Sequence, residues 1–183
     1  AVGVVTGHGS IDPGHPILAS GALVLTSDAG AARLTEQLPP TSTIVTLGEE
    51  TVIDPRAAIE ALHDRGHRAI LCEAGPHTHG GLLEHGLIDE LFLTISPLLA
   101  GDRGHLSRFG LAEAADLMPP GLRARLLSIR RHEEHVFLRF RIDERGQAPA
   151  CPLSVSFVTY RGYDRRAGLL MFPAESRARS VIV

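Results

Sequence analysis

The chain has 183 residues, with 18 basic and 21 acidic side chains for a net charge of −3, and 44% of it is hydrophobic. That length and apolar content suit one domain with a full core, and the balanced charge gives no electrostatic reason to expect nucleic acid or an acidic lipid surface as partner. No apolar run approaches the roughly 18–20 residues of a membrane span, and no charged segment precedes an apolar signal core, so a cytoplasmic protein acting on a small molecule is expected.

Val2–Thr6 reads as a short strand, and the span from Gly7 to Pro16 is too rich in glycine and proline for regular structure. Leu23–Thr26 is a second strand. Ser27 or Asp28 can then cap a helix that reaches about Leu38, where Pro39-Pro40 stops it. Thr43–Leu47 is a third strand. The clearest helix follows, with Asp54 as N-cap, Pro55 in the first turn, Gly66 at the exit, and Ala58, Ile59 and Leu62 as its apolar stripe.

Arg68–Cys72 holds Ala69, Ile70 and Leu71 in a short apolar run, the pattern of a central strand covered on both faces. Glu73-Ala74-Gly75 breaks it. Pro76 suits the first position of a helix because its missing N–H would have no partner there, and Gly86 suits the exit. A further strand begins at Leu91. This alternation of strands and helices predicts a mainly parallel sheet joined by right-handed crossovers, with a nucleotide lying along the carboxyl ends of the strands.

Beyond Pro97 the pattern changes. Residues 101–110 read as a polar loop and Pro119-Pro120-Gly121 as a break, after which Leu122–Arg130 and Val136–Ile142 form an antiparallel hairpin. In its second strand Val136, Leu138, Phe140 and Ile142 alternate with Phe137, Arg139 and Arg141, predicting one buried and one wetter face. The domain is expected to end at residue 143. Glu144–Pro152 reads as a linker, Leu153, Val155, Phe157 and Thr159 alternate as a strand would, and Arg161–Val183 carries no assignment.

The chemistry concentrates around Gly75. A helix start presents unpaired backbone N–H groups and about half a positive charge, so the small residues Ala74-Gly75 before Pro76 make a seat for phosphate, although an ordinary strand-to-helix turn would have the same look. The spacing fits neither the Rossmann nor the Walker pattern. Among the ten histidines, His77 and His79 diverge by about 200° on a helix and no Cys or carboxylate completes a zinc-like spacing, so no metal is expected. Cys72 and Cys151 supply no disulfide framework. Asp89 and Glu90 are chain neighbours that point apart, and Ser10, Ser20 and Ser27 lack a nucleophile elbow, which sets hydrolase chemistry aside.

The run from Cys72 to Leu83, followed by Gly86-Leu-Ile-Asp-Glu-Leu91 and Leu93-Thr-Ile-Ser-Pro97, resembles the reductase domain of the bifunctional deaminase-reductases of riboflavin biosynthesis. Val4–Pro13 and Ala22–Ser27 resemble that family's strands near the adenylate end of a dinucleotide. The resemblance implies an α/β, dihydrofolate-reductase-like fold ending in an antiparallel hairpin, an NADPH-dependent reduction of a ribosylamino-pyrimidine phosphate, and a homodimer. It makes Glu73 a substrate-contacting carboxylate. It also places Gly75, Pro76, His77, Thr78, His79, Gly80 and Gly81 around the NADPH pyrophosphate and Gly7 toward the adenosine.

Two departures stand out: Ala74 replaces the first of two glycines usual after the glutamate, and the family's opening strand, Ser-Leu-Asp-Gly-like turn and Gly-Thr loop have no counterpart in this sequence. Those departures leave two alternatives, a catalytically inactive dinucleotide-binding or oligomerisation remnant, or a reductase of the same fold with another pterin or pyrimidine substrate. No residue is assigned as general acid.

Overall fold

The computed structural model describes residues 1–98, 110–117, 121–142, 154–161 and 180–182. The expected loop over 101–109, the break at Pro119-Pro120, the linker at 144–152 and most of the unassigned tail lie outside the described residues. In chain order the first elements are β1 (Val2–Thr6), α1 (Pro16–Ala19), β2 (Leu23–Thr26), α2 (Asp28–Leu34), β3 (Thr43–Thr46), α3 (Pro55–Asp64) and β4 (Ala69–Cys72). They are followed by α4 (Pro76–Glu84), β5 (Glu90–Ile95), β6 (Ala124–His132), β7 (His135–Ile142), β8 (Ser154–Arg161) and β9 (Ser180–Ile182).

The chain divides into two compact units, Ala1–Ala74 with Ala178–Val183, and Gly75–Arg177. In the first unit the strands run β3-β2-β1-β9-β4, all parallel, with Val4 beside Val24 and Val24 beside Ile44. Parallel neighbours need crossovers, which α2 and its flanking loops supply between β2 and β3. Leu18, Ala22, Val24 and Leu34 form a buried cluster against which Val4, Ile11, Ile17, Leu38 and Ile44 pack. On α3 the stripe Ala58, Ile59 and Leu62 is buried as its spacing requires. Each fully buried Leu or Ile here contributes about 1.5–3 kcal/mol relative to exposure.

Local chemistry sets the helix bounds. The Ser27 hydroxyl accepts from the Gly30 N–H at 3.1 Å and caps α2, while the Asp54 carboxylate accepts from the Arg56 N–H at 2.9 Å and caps α3. Helix α2 stops at Leu34 instead of about Leu38. The N–H groups of Gln37 and Leu38 both converge on the Leu34 carbonyl, a tightened turn that the oncoming Pro39 favours by disallowing helical backbone at Leu38. The loop expected over 7–16 is irregular up to His15, but Pro16 opens the short helix α1, capped where the His15 imidazole accepts from the Ile17 N–H at 3.2 Å.

The second unit has the strand order β8-β5-β7-β6, with β8 parallel to β5 and the rest antiparallel. Leu82 and Leu83 of α4, with Leu87, Ile88 and Leu91, form its buried part. The Glu90 carboxylate sits across from Arg141 in the β5–β7 register and binds Arg139 at 2.6 Å and Arg141 at 3.3 Å, tying the two strands together. Along β7, Arg139 and Arg141 are exposed as expected, but Val136, Leu138, Phe140 and Ile142 are only half-buried. Among the described residues their face is only partly covered. Strands β8 and β9 both follow residue 143; β8 pairs with β5, and β9 pairs with β1 and β4.

Candidate active site

The first turn of α4 is built to stay open. Gly75 is its N-cap with φ −72° and ψ 175°, an extended conformation any residue adopts, so this glycine is not demanded by the backbone. Among the described residues, chain neighbours and the helix's own backbone aside, a Cβ placed on it would meet no atom within 4 Å. No side chain caps the helix, Pro76 has no N–H to satisfy, and a helix start leaves the amides of His77 and Thr78 without an intrahelical acceptor. The arrangement combines two N–H donors without an intrahelical acceptor, the positive end of the helix dipole and, among the described residues, clear space at Gly75, which together suit a phosphate oxygen close to backbone.

The helix is held in that position by a segment the sequence did not single out. The Glu113 N–H donates to the Pro76 carbonyl at 3.0 Å, and the Glu113 carboxylate accepts from the Gly110 N–H at 2.8 Å while lying 3.7 Å from the exposed His77 ring. The Glu113 carbonyl occupies the space where a Cβ on Gly80 would sit, so Gly80 lets residues 110–117 lie directly on the helix. His79 is fully buried, with Nδ1 hydrogen-bonded to the Leu111 carbonyl at 2.5 Å, and burial holds its pKa below the ordinary histidine value despite that bond. Gly81 lies deeper along the helix, its carbonyl accepting from the His85 N–H at 3.2 Å and from the His85 ring at 2.8 Å.

The seven residues expected around a pyrophosphate therefore separate by depth. Gly75, Pro76, His77 and Thr78 form the first turn, whereas the His79 side chain and Gly80 pack against residues 110–117 and Gly81 bonds within the helix to His85. The divergence of His77 and His79 is as helical geometry requires, one exposed and the other buried. Among the described residues no group of three or more His, Cys, Asp or Glu side chains is placed to hold a metal ion.

Gly7 follows β1 in the first unit, where the Thr51 carbonyl fills the position its Cβ would take and its own carbonyl accepts from the Ser27 hydroxyl at 2.7 Å. Its lack of a side chain is thus accounted for by the close passage of the 50–52 loop. Nearby, Val4, Ile11, Asp12, His15, Ile17 and Leu18 line a mostly apolar cavity of about 240 Å³. Glu73 is half-buried just after β4, two residues ahead of Gly75 in the chain. The adjacent Cys72 is fully buried, and burial pushes its thiol up to about 11, a hydrogen bond with the Ala74 backbone opposing the rise and the Glu73 charge adding to it. Such a thiol is no nucleophile at neutral pH. Nothing in the sequence flags Leu111 or Glu113, because their contacts with α4 run largely through their backbone groups, which every residue possesses.

Among the described residues no helix is long and apolar enough to cross a membrane. The family described as RibD C-terminal domain matches residues 2–138. No curated protein matches the chain. Among solved structures, a pyrimidine reductase-like protein from Corynebacterium diphtheriae aligns at 20% identity with a TM-score of 0.62, over 78% of this chain and 60% of that one. The mixed architecture of a parallel sheet, covering helices and an antiparallel sheet is the one that likeness describes, and the present chain spans 60% of that protein's length.

Proposed function

From the premise that the chain belongs to the RibD C-terminal domain family, which the match over residues 2–138 shows, we propose that it is an NADPH-dependent reductase whose α4 first turn receives the cofactor's pyrophosphate. The observation that carries the reading is the clear space at Gly75. Among the described residues, this glycine with unremarkable φ has clear space where its Cβ would stand, and it lies where two amides without an intrahelical acceptor and a helix dipole converge. The residues fit the group: His77 and Thr78 amides would donate to phosphate oxygens, and the buried His79, Gly80 and Leu111 contacts would keep those amides fixed when the anion arrives.

When bound, NADPH supplies the hydride. The chain's own part is positioning and exclusion of water. Glu73 is proposed as the acceptor for hydroxyl or amide hydrogens of a ribosylamino-pyrimidine phosphate, orienting the sugar carbon that is reduced to the ribityl form. A cytoplasmic setting belongs to the same proposal.

Titrating the protein with NADPH while following nicotinamide fluorescence tests it, with saturation in the micromolar range expected. Absence of binding at millimolar cofactor would overturn the assignment. Saturable binding without turnover of any ribosylamino-pyrimidine phosphate, pterin or related carbonyl in a substrate panel is the result the inactive-remnant alternative requires.

A further inference from the structure

One face of the antiparallel strands carries a charge that the whole-chain balance conceals. The registers of β5, β6 and β7, with the slip between Leu126 and Ser128, put Arg125, Ser128, Arg130 and His132 of β6 on the same face as His135, Phe137, Arg139 and Arg141 of β7. Glu90, Phe92 and Thr94 of β5 continue that face. Four arginines thus meet the single carboxylate of these three strands. Glu90 binds Arg139 and Arg141, whose side chains nevertheless stay 46% and 52% exposed. Arg125 and Arg130 are exposed, with no ion-pair partner among the described residues. Arg125 stands directly across from Arg141 in the ladder, a like-charge pair that weakens a sheet and from which the fold gains nothing.

Aromatic rings alternate with these cations. The Arg139 guanidinium lies over the Phe92 ring, 5.5 Å from its centroid, and the His135 and Phe137 rings follow along β7 with centroids 6.4 Å apart. From His135 to Arg141 the strip runs roughly 20 Å at ~3.4 Å per residue.

We propose that this face binds single-stranded nucleic acid, the arginines holding successive phosphates while the rings and guanidinium planes receive unpaired bases. The alternation of cation and ring selects that occupant. A guanidinium fork takes phosphate bidentately, and one stacked on a ring turns its outer plane to a base. An acidic polypeptide would satisfy the charges but leave the rings without a role, and a duplex keeps its bases stacked inside. The net charge of −3 does not oppose such binding, because screening over about 8 Å at physiological salt makes the local distribution of charge decisive. Contacts of this kind read the strand and not its sequence. The inference is independent of the cofactor reading, since no residue of α4 takes part.

Fluorescence anisotropy of a short labelled oligouridylate, and of the matching oligothymidylate, tests it on the full chain. Dissociation constants of about 1–100 µM at physiological salt are expected, with log affinity falling against log salt at a slope of roughly −2 to −3 for three or four neutralised phosphates. Arg125→Gln with Arg130→Gln, both at exposed positions, should weaken binding about 10-fold or more and reduce the magnitude of the slope by about 1.4, without lowering Tm. Arg131→Gln, on the opposite face beside Glu134, and Gly75→Val, at the α4 turn, should leave the slope unchanged. A slope indifferent to the arginine pair, or binding no tighter than that of a duplex of the same length, would overturn the proposal. Displacement of the oligonucleotide by polyglutamate at matched charge would overturn it as well, assigning the face to an acidic polypeptide.

Discussion

Replacing Gly75 by valine separates the cost to the fold from the cost to the ligand. On the fold side the backbone at φ −72° and ψ 175° accepts valine, and among the described residues its Cβ enters clear space. The remaining penalty is the poorer N-cap preference of valine, at most about 1 kcal/mol, which for a chain of this size lowers Tm by roughly 2–4 °C. On the ligand side the isopropyl group occupies the approach to the His77 and Thr78 amides. Two charge-assisted hydrogen bonds at ~1.5–3 kcal/mol each are then lost, which corresponds to a 10²- to 10⁴-fold rise in Kd for NADPH. Gly75→Ala, with one carbon in place of three, should fall between the two. The assay is fluorescence titration paired with circular dichroism and thermal melting of each variant. A valine variant that melts normally and binds NADPH within about threefold of the parent would refute the phosphate seat, since two bonds of that kind cannot be lost so cheaply.

Other outcomes follow from the same geometry. Gly80→Ala gains about 1 kcal/mol of helix propensity but must displace the Glu113 carbonyl, so a net loss of ~1–2 kcal/mol is expected in denaturant unfolding; a stabilised variant would mean residues 110–117 do not lie on the helix. Burial lowers the pKa of His79 from 6.5, so the folded state takes up its proton less readily than the unfolded chain. Its contribution to stability is therefore complete above pH 6.5 and is lost as pH falls through and below that value. His79→Leu should flatten this part of the stability–pH profile relative to the parent, with His67, whose pKa burial also lowers, retained in both. In a Cys151→Ser background the thiol of Cys72 should resist iodoacetamide at pH 8 until denaturant is added, as measured by mass spectrometry; rapid alkylation of the native protein would contradict its burial.

Much of this architecture was legible because local rules and tertiary packing agree. Asp54, Pro55 and the Ala58–Ile59–Leu62 stripe specify α3 completely, and Pro76 marks the start of α4 to the residue. What escaped is what depends on distant neighbours. Gly80 and Gly81 look alike in a glycine-rich run, yet only contact with Glu113 shows that Gly80 is there for packing. His79 reads as a polar residue near a ligand until Leu111 is seen at its ring nitrogen. Gly7 likewise looks available until the Thr51 carbonyl occupies its side. The half-buried face of β7 was overestimated because alternation reports which side an apolar residue takes, and not whether anything covers that side.

The placement of β9 constrains how the protein is made. Residues 180–182 hydrogen-bond to both β1 and β4, so the two strands that border them are bridged by a segment translated more than a hundred residues later. While the ribosome is still adding the intervening chain, the first unit emerges with a vacant slot in its sheet. Closing that slot is a contact of very large sequence separation, which slows the search and leaves strand edges bare in the meantime. Synthesis rate and chaperone access should therefore govern the yield of native protein more strongly than its final stability does.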